Sequence, residues 1–467
     1  MTSRTGFCDK RMLKTAMAVT AGKTVATLTA FLKMGSGTSL PGKVARKIDP
    51  ALLKHLGAQV HKEVLAVTGT NGKTTTCGLL AQFLVSGNQT VVHNQLGANM
   101  VPGITAALLR QSSCLGRLEA DYAVLEVDEA SLKGVAGELP IHRMLVTNLF
   151  RDQLDRYGEL DTTAQMILEG IHRSEAIMHG AGRLILNGDD PLVTVLGQKM
   201  PAERLLYYGI ENVTYQHPVS LSGPVPFTRE VTGCPACQGP LEYDTLIFGH
   251  LGHYRCLDCD YRRPPATVAA EEVYVTPEES RVRLRYGDTH LDVVLPLPGL
   301  FNVYNLLAAA AMAADLNVPA DAIVQGLREY RSVFGRAEKK VIQGRNVLIM
   351  LIKNPVGASE VLKLVGGDPK GRLLIALNDN YADGRDVSWI WDAQFEAIPP
   401  EKRVIVSGDR AEDMAVRLKY AGIPENHIAM ERDLKTALNQ AIAQTAPGET
   451  LYILPTYTAL LALQKIF

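Results

Sequence analysis

No stretch of this 467-residue sequence is apolar for the length of a membrane span. The most apolar early stretch, Ala16 to Met34, is cut by Lys23 and Lys33, whereas a span needs about 20 mostly apolar residues. The same stretch lacks the clean apolar run and cleavage site of a signal peptide. Neither sign of charge dominates: 48 Lys and Arg face 49 Asp and Glu, for a net charge of −1. A binder of nucleic acid ordinarily carries a basic surplus, so this balance argues against one. Seven cysteines are too few for a disulfide scaffold at this length. Repeats of 20–50 residues and low-complexity tracts are absent. The expectation is a cytoplasmic protein without a transmembrane segment, too long for one core and built from two or three domains.

Charge is uneven locally. Residues 1–47 hold nine Lys or Arg against one acid, Asp9. Such a segment reads either as solvated and partly mobile, or as one that settles on an anionic membrane surface at the inner face, where each basic residue contributes about 1 kcal/mol.

From Val64 onward apolar strands alternate with helical stretches, the pattern of a parallel α/β sheet covered on both faces. Strands are expected at Val64–Thr68, Thr90–His93, Tyr122–Val127, Arg143–Thr147 and Arg183–Leu186. Two alternating stretches, Glu272–Val275 and Arg281–Leu295, read as antiparallel strands. After an apolar helix at Asn302–Ala314, a second, Rossmann-like α/β unit begins near Arg345. Its strands are expected at Asn346–Leu351, Arg372–Leu377, Arg403–Ser407 and Thr450–Leu454. The division is a basic segment at 1–55, a central unit at 56–330 interrupted at about 230–266, and a C-terminal unit at 331–467.

The first strand runs into Gly69-Thr70-Asn71-Gly72-Lys73-Thr74-Thr75, which opens a helix. Glycines let backbone N–H groups converge on phosphate oxygens, and the helix N-terminus favours negative charge. Lys73 is the candidate for the terminal phosphates of ATP, and Thr74 for Mg²⁺. Magnesium wants hard oxygen ligands. Glu126, at the C-terminal end of a strand in Leu125-Glu-Val-Asp-Glu129, is the candidate metal carboxylate. Alternation sets Asp128 on the same face if the strand continues.

This loop, Gly97-Ala98-Asn99-Met100, Glu126, Thr147-Asn148 with Asp152-Gln153-Leu154-Asp155, Asn187-Gly-Asp-Asp-Pro191 and Gly299-Leu-Phe-Asn-Val-Tyr-Asn305 occur in the order of the Mur ligase family, which the chain resembles over about residues 60–340. The resemblance implies amide formation through an acyl phosphate, with Glu126 on Mg²⁺ and Asn302 and Asn305 near the nucleotide base. Departures are Gln153 where the family has His, and Leu351-Ile-Lys-Asn-Pro355 where it has Asp-Tyr-Ala-His.

Cys234-x-x-Cys237 and Cys256-x-x-Cys259, 18 residues apart, have the spacing of a zinc ribbon. Four thiolates close a tetrahedral Zn²⁺ site and leave no open position, so this zinc is expected to be structural, with His250 and His253 not needed. Farther on, Asn378 to Asp392 packs Asp383-Gly-Arg-Asp386 and both tryptophans into one segment after a strand.

Together with that segment and the cysteine insert, Leu40–Lys47 and Pro455–Thr458 extend the resemblance over nearly the whole chain, to the ligase subunits of lipid II isoglutaminyl synthase. That branch works with a GatD-type class I glutamine amidotransferase. The resemblance implies amidation of the D-glutamate α-carboxylate of lipid II with ammonia from the partner, whose catalytic triad Asp386 completes. Two other readings stand beside it: a stand-alone Mur or folylpolyglutamate-type amino-acid ligase, and a zinc-ribbon adaptor that binds ATP without turning it over.

Overall fold

The computed structural model describes residues 5–31, 39–94, 98–151, 160–212, 231, 233–276, 278–332, 335–368 and 370–467. Helices α1 (Thr5–Phe31), α2 (Leu40–Ile48) and α3 (Leu52–Gly57) precede strand β1 (Val60–Thr68) and helix α4 (Lys73–Ser86). Then follow β2 (Val91–His93), α5 (Val101–Gln111), β3 (Ala120–Glu126), α6 (Glu129–Glu138), β4 (Ile141–Val146), α7 (Leu160–Met178), β5 (Arg183–Asn187) and β6 (Leu205–Ile210). The insert is the hairpin β7 (Leu241–Phe248) and β8 (Leu251–Cys256). Strands β9 (Val268–Val275), β10 (Ser280–Tyr286) and β11 (Thr289–Leu295) lead to α8 (Leu300–Asp315) and α9 (Ala320–Glu329).

These strands form a nine-stranded sheet in the order β11-β10-β9-β6-β5-β4-β1-β3-β2. The pairings from β2 to β9 are parallel, and β9, β10 and β11 form an antiparallel edge. β1 shows why the sheet is covered twice. Its side chains alternate, so Leu65 and Val67 enter one buried cluster while Val64 and Ala66 enter another. The first cluster takes in α4 and α8; the second takes in α5 and α6.

Three expectations need correction. The basic N-terminal segment is not simply solvated. α1 packs against α2 and α5, Ala18 and Val19 are fully buried, and a Cβ on Gly22 would stand 3.1 Å from Ala45 Cβ. Small residues one turn apart, Ala18 and Gly22, allow that approach. Second, Arg281–Leu295 is two strands. The chain reverses at Gly287 (φ +59°), and Tyr286 pairs with Thr289, a two-residue turn in which only a left-handed backbone fits. Third, β3 stops at Glu126, and Asp128 caps α6 by accepting a hydrogen bond from Ala130 N–H at 3.1 Å. It does not continue the face of Glu126.

The C-terminal sheet is β12 (Arg336–Ile342), β13 (Arg345–Met350), β14 (Arg372–Ala376), β15 (Val404–Ser407), β16 (Ile428–Met430) and β17 (Thr450–Pro455), in the order β12-β13-β17-β14-β15-β16. All its pairings are parallel except β12 with β13. Helices α10 (Pro355–Gly366), α11 (Ala411–Tyr420), α12 (Leu434–Gln444) and α13 (Tyr457–Ile466) complete the unit. No described helix is long and apolar enough to cross a membrane.

Candidate active site

The glycine loop sits at the C-terminal end of β1, where open α/β sheets gather their ligands. Two of its glycines are required by the backbone. Gly69 has φ +115°, and a Cβ there would lie 2.4 Å from Thr147 Oγ1. Gly72 has φ +87°, and a Cβ would lie 1.9 Å from Asn305 Oδ1. The neighbouring strand end braces the loop: Thr70 N–H donates to Asn148 O at 2.8 Å, and Asn71 N–H donates to Asn148 Oδ1 at 2.9 Å. Thr74 and Thr75 are buried in the first turn of α4.

Lys73 lies across this loop. Its ammonium donates to Gly69 O at 2.5 Å, Thr70 O at 3.3 Å and Glu129 Oε1 at 2.9 Å. Burial alone would lower its pKa, but the carboxylates of Glu129, Asp128 and Glu126 more than offset it and hold the group above an ordinary lysine. Glu129 shows the reciprocal balance: burial raises it, and Lys73 pulls back only part of the way. The pairing of Glu129 depends on a contact 56 residues away in sequence, which no local pattern shows.

Glu126 is buried at the end of β3, and its backbone is clamped by Asn94, which accepts from Glu126 N–H and donates to Glu126 O, each at 2.8 Å. One carboxylate oxygen faces Asn99 Nδ2 at 3.4 Å. The other, Oε2, is buried without a hydrogen-bond partner among the described residues. A buried oxygen of this kind is costly unless a cation or donor meets it. A hard oxygen donor beside the phosphate loop fits Mg²⁺.

Asn302 and Asn305 stand in the first turns of α8 and hold each other, Asn305 Nδ2 donating to Asn302 Oδ1 at 3.2 Å. Asn302 Nδ2 also donates to Pro298 O at 2.7 Å. Both line a cleft with Asn71, Gly72, Thr75 and Phe248. The far wall belongs to the C-terminal sheet: Arg336, Lys353 and Asn354 face the same cleft. Asn354 Nδ2 donates to Asn71 Oδ1 at 2.8 Å, and Lys353 Nζ reaches Thr70 O at 3.5 Å. The divergent Leu351–Pro355 segment thus touches the phosphate loop itself. Neither Arg336 nor Asn354 was a sequence candidate, because nothing in their local pattern marks them. Residues Gly97 and Asp152–Asp155, including Gln153, lie outside the described residues.

The four cysteines converge. The sulfurs of Cys234, Cys237, Cys256 and Cys259 all lie within 4.8 Å of one another. Gly239 N–H points at Cys237 Sγ and Asp258 N–H at Cys256 Sγ, each at 3.4 Å, the i to i+2 bonds of two tight knuckles. Soft donors in a closed set of four suit Zn²⁺. The histidines of the insert turn elsewhere: His250 Nε2 pairs with Asp190 Oδ1 at 3.2 Å and His253 Nε2 with Ile210 O at 2.8 Å.

Asp383 and Asp386 are three positions apart in one segment yet have opposite surroundings. Asp383 is buried and accepts from Thr458 N–H at 2.7 Å and Asn380 N–H at 3.2 Å, tying the segment to the start of α13. Asp386 is exposed and accepts from Ser388 N–H at 2.8 Å. Ser388 holds its carboxyl below the usual carboxylate range. Nearby Trp391 and Tyr420, 51% and 73% exposed, meet edge to face at 5.6 Å.

A phosphate loop at a parallel strand end, a buried carboxylate beside it and a second α/β unit closing the cleft define an ATP-dependent ligase of the Mur fold. Known proteins agree. The Mur ligase middle domain matches residues 67–222, and the MurT ligase C-terminal domain matches residues 351–460. A lipid II isoglutaminyl synthase (glutamine-hydrolyzing) subunit MurT of Staphylococcus aureus strain COL is 37% identical over 428 residues, 91% of each chain. The Streptococcus pneumoniae subunit of that name is 36% identical over 464 residues, 97% of each chain. Among solved structures, a pseudomurein peptide ligase type C from Methanothermus fervidus superposes with TM-score 0.65 at 25% identity, covering 88% of this chain and 80% of that one. MurF from Acinetobacter baumannii shares the fold at TM-score 0.62 and 17% identity, over 90% of this chain and 80% of that one. The chain belongs to the family of MurT ligase subunits, within the Mur ligases, and is an ATP-dependent carbon–nitrogen ligase.

Proposed function

We propose that this chain amidates the α-carboxylate of D-glutamate in the lipid II stem peptide, using ATP and ammonia supplied by a GatD-type class I glutamine amidotransferase. The observation that carries the proposal is the pairing of a built phosphate site, Lys73 with Glu126 and Glu129, with an exposed, ionised Asp386 on the C-terminal unit. The names of the MurT relatives point the same way.

In this reading Gly69, Thr70, Asn71, Gly72, Lys73, Thr74 and Thr75 cradle the phosphates of ATP, with Asn302 and Asn305 toward the base. Thr74 and Glu126 would hold Mg²⁺, which would supply positive charge against the phosphates during transfer. The substrate carboxylate oxygen attacks the γ-phosphorus, the bond to the β-phosphate oxygen breaks, and ADP leaves. Lys73 stays charged through this step and stabilises the transferring phosphoryl by position and electrostatics. Ammonia then attacks the acyl carbonyl, inorganic phosphate departs, and one proton is released to leave the neutral amide.

Asp386 fits the third member of the partner's triad. A carboxylate behind a histidine fixes its tautomer and stabilises the imidazolium, and this requires an ionised, accessible group. The exposed Trp391–Tyr420 pair offers adjoining apolar surface for the glutaminase. The Cys234, Cys237, Cys256 and Cys259 set would hold a structural Zn²⁺. The outer face of α1 would lie toward a membrane surface bearing lipid II. The central unit is residues 56–330, the C-terminal unit 331–467.

Release of ADP by the purified chain with lipid II should depend on added ammonia and yield one amide per ADP, read by mass spectrometry. Stimulation by a free amino acid instead of ammonia, with a heavier peptide product, would replace this reading with the stand-alone ligase.

A further inference from the structure

The cysteine hairpin does more than project from the sheet. Its tip turns inward. His250 and Leu251 are fully buried, Gly252 N–H donates to Asp189 O at 2.9 Å, and His250 is paired to Asp190. Asp189 in turn accepts from Tyr304 OH at 2.8 Å and Arg263 Nε at 2.6 Å. The tip is therefore bolted to the strand end at Asn187–Pro191 and to α8.

Phe248, the last residue of β7, faces the cleft beside Asn302 and Asn305. Its ring is stacked 5.9 Å from Phe150 and meets Tyr304 edge-on at 5.5 Å. Phe150 is the residue whose backbone exchanges two hydrogen bonds with Thr70 of the phosphate loop, at 3.0 and 3.1 Å. Gly249 is wedged at the turn: a Cβ there would lie 2.9 Å from Phe150 and 3.5 Å from Val356 of the C-terminal unit. An aromatic ladder thus runs from the phosphate loop to the insert, with amide side chains beside it. Apolar rings plus a few polar groups are what a purine face and edge require.

We infer that the tip of the cysteine hairpin is the base-facing wall of the nucleotide cleft, with Phe248 a positioning residue for the purine. This rests on reading the cleft as the ATP site. The cysteines sit at the opposite end of an eight-residue strand, roughly 25 Å away at strand rise. Order at the cluster is thereby transmitted along β7 and β8 to the base.

The test compares two probes on the full chain, Mg-ATP and Mg-tripolyphosphate, which lacks base and sugar. Phe248→Ala should weaken Mg-ATP by about tenfold, the scale of one aromatic contact, and leave tripolyphosphate unchanged. Phe248→Tyr, which keeps the ring, should retain most of the ATP affinity, and so separates stacking from misfolding. Cys237→Ser, at the exposed end of the cluster, should weaken ATP selectively in the same way. Equal loss for both probes in Phe248→Ala, or unchanged ATP affinity in either variant, would overturn the inference. Lys73→Ala should weaken both probes; if it weakens neither, the phosphate-loop reading fails instead.

Discussion

At the scale of single residues, charge placement separates the groups that act from those that hold. Glu126 keeps a buried carboxylate oxygen with no partner among the described residues, while Glu129 spends its charge on Lys73. Asp128, between them, is a helix cap. The alternation of β3 marked Glu126 from sequence but misplaced Asp128, because the strand ends where the loop to α6 begins. If Glu126 is the metal carboxylate, Glu126→Gln should keep the fold and bind ADP alone normally. The extra affinity that Mg²⁺ confers should fall by about tenfold or more, given that hydrogen bonds and contacts to charged groups contribute about 1.5–3 kcal/mol. Calorimetry with and without Mg²⁺ reads this, and an undiminished magnesium effect would remove Glu126 from the metal.

At the scale of elements, most of the strands and the phosphate loop were legible because each is a local pattern. Val64–Thr68 is an apolar run followed at once by its glycines, and the apolar helix expected at Asn302–Ala314 is found at Leu300–Asp315. What was illegible depends on long-range contact. Asn354 reaches Asn71 across 283 positions, and Phe248 gains its neighbours only when the hairpin folds back. Asp386 and Asp383 look alike in sequence, and burial alone tells them apart. The cysteine insert lies between these extremes, since its spacing is local but its attachment through Asp189 and Asp190 is not. Zinc analysis of the purified chain should give about one ion per chain, four thiolates making one closed site. Removal with a strong chelator should lower the melting temperature by a few degrees without unfolding the nine-stranded sheet, which contains neither β7 nor β8. A chain purified without zinc and no less stable for it would contradict a structural metal.

At the scale of the whole molecule, two surfaces lie outside the nucleotide cleft. The α1 layer carries exposed Met12, Leu13, Met17, Leu28 and Phe31 on a helix in a strongly basic segment. Its inner face is committed to the core through Ala18 and Val19. Apolar side chains among lysines suit an interface with anionic lipid. Cosedimentation with vesicles containing anionic lipid should be strong at low salt and fall on changing Leu13, Met17 and Leu28 together to Ser. Equal binding to neutral vesicles, or no effect of the triple change, would remove the membrane role from α1.

The proposed glutaminase contact lies on the C-terminal unit, and Asp386 tests that proposal most directly. Asp386 is exposed, and its bond among the described residues is a local turn bond from Ser388 N–H, so Asp386→Asn should preserve the fold. In the complex with a GatD-type partner, amidation of lipid II should be measured twice, once fed by glutamine and once by free ammonium. The account predicts that Asp386→Asn abolishes the glutamine-fed reaction and leaves the ammonium-fed one at the unsubstituted rate. Equal loss of both, or loss of neither, would contradict it.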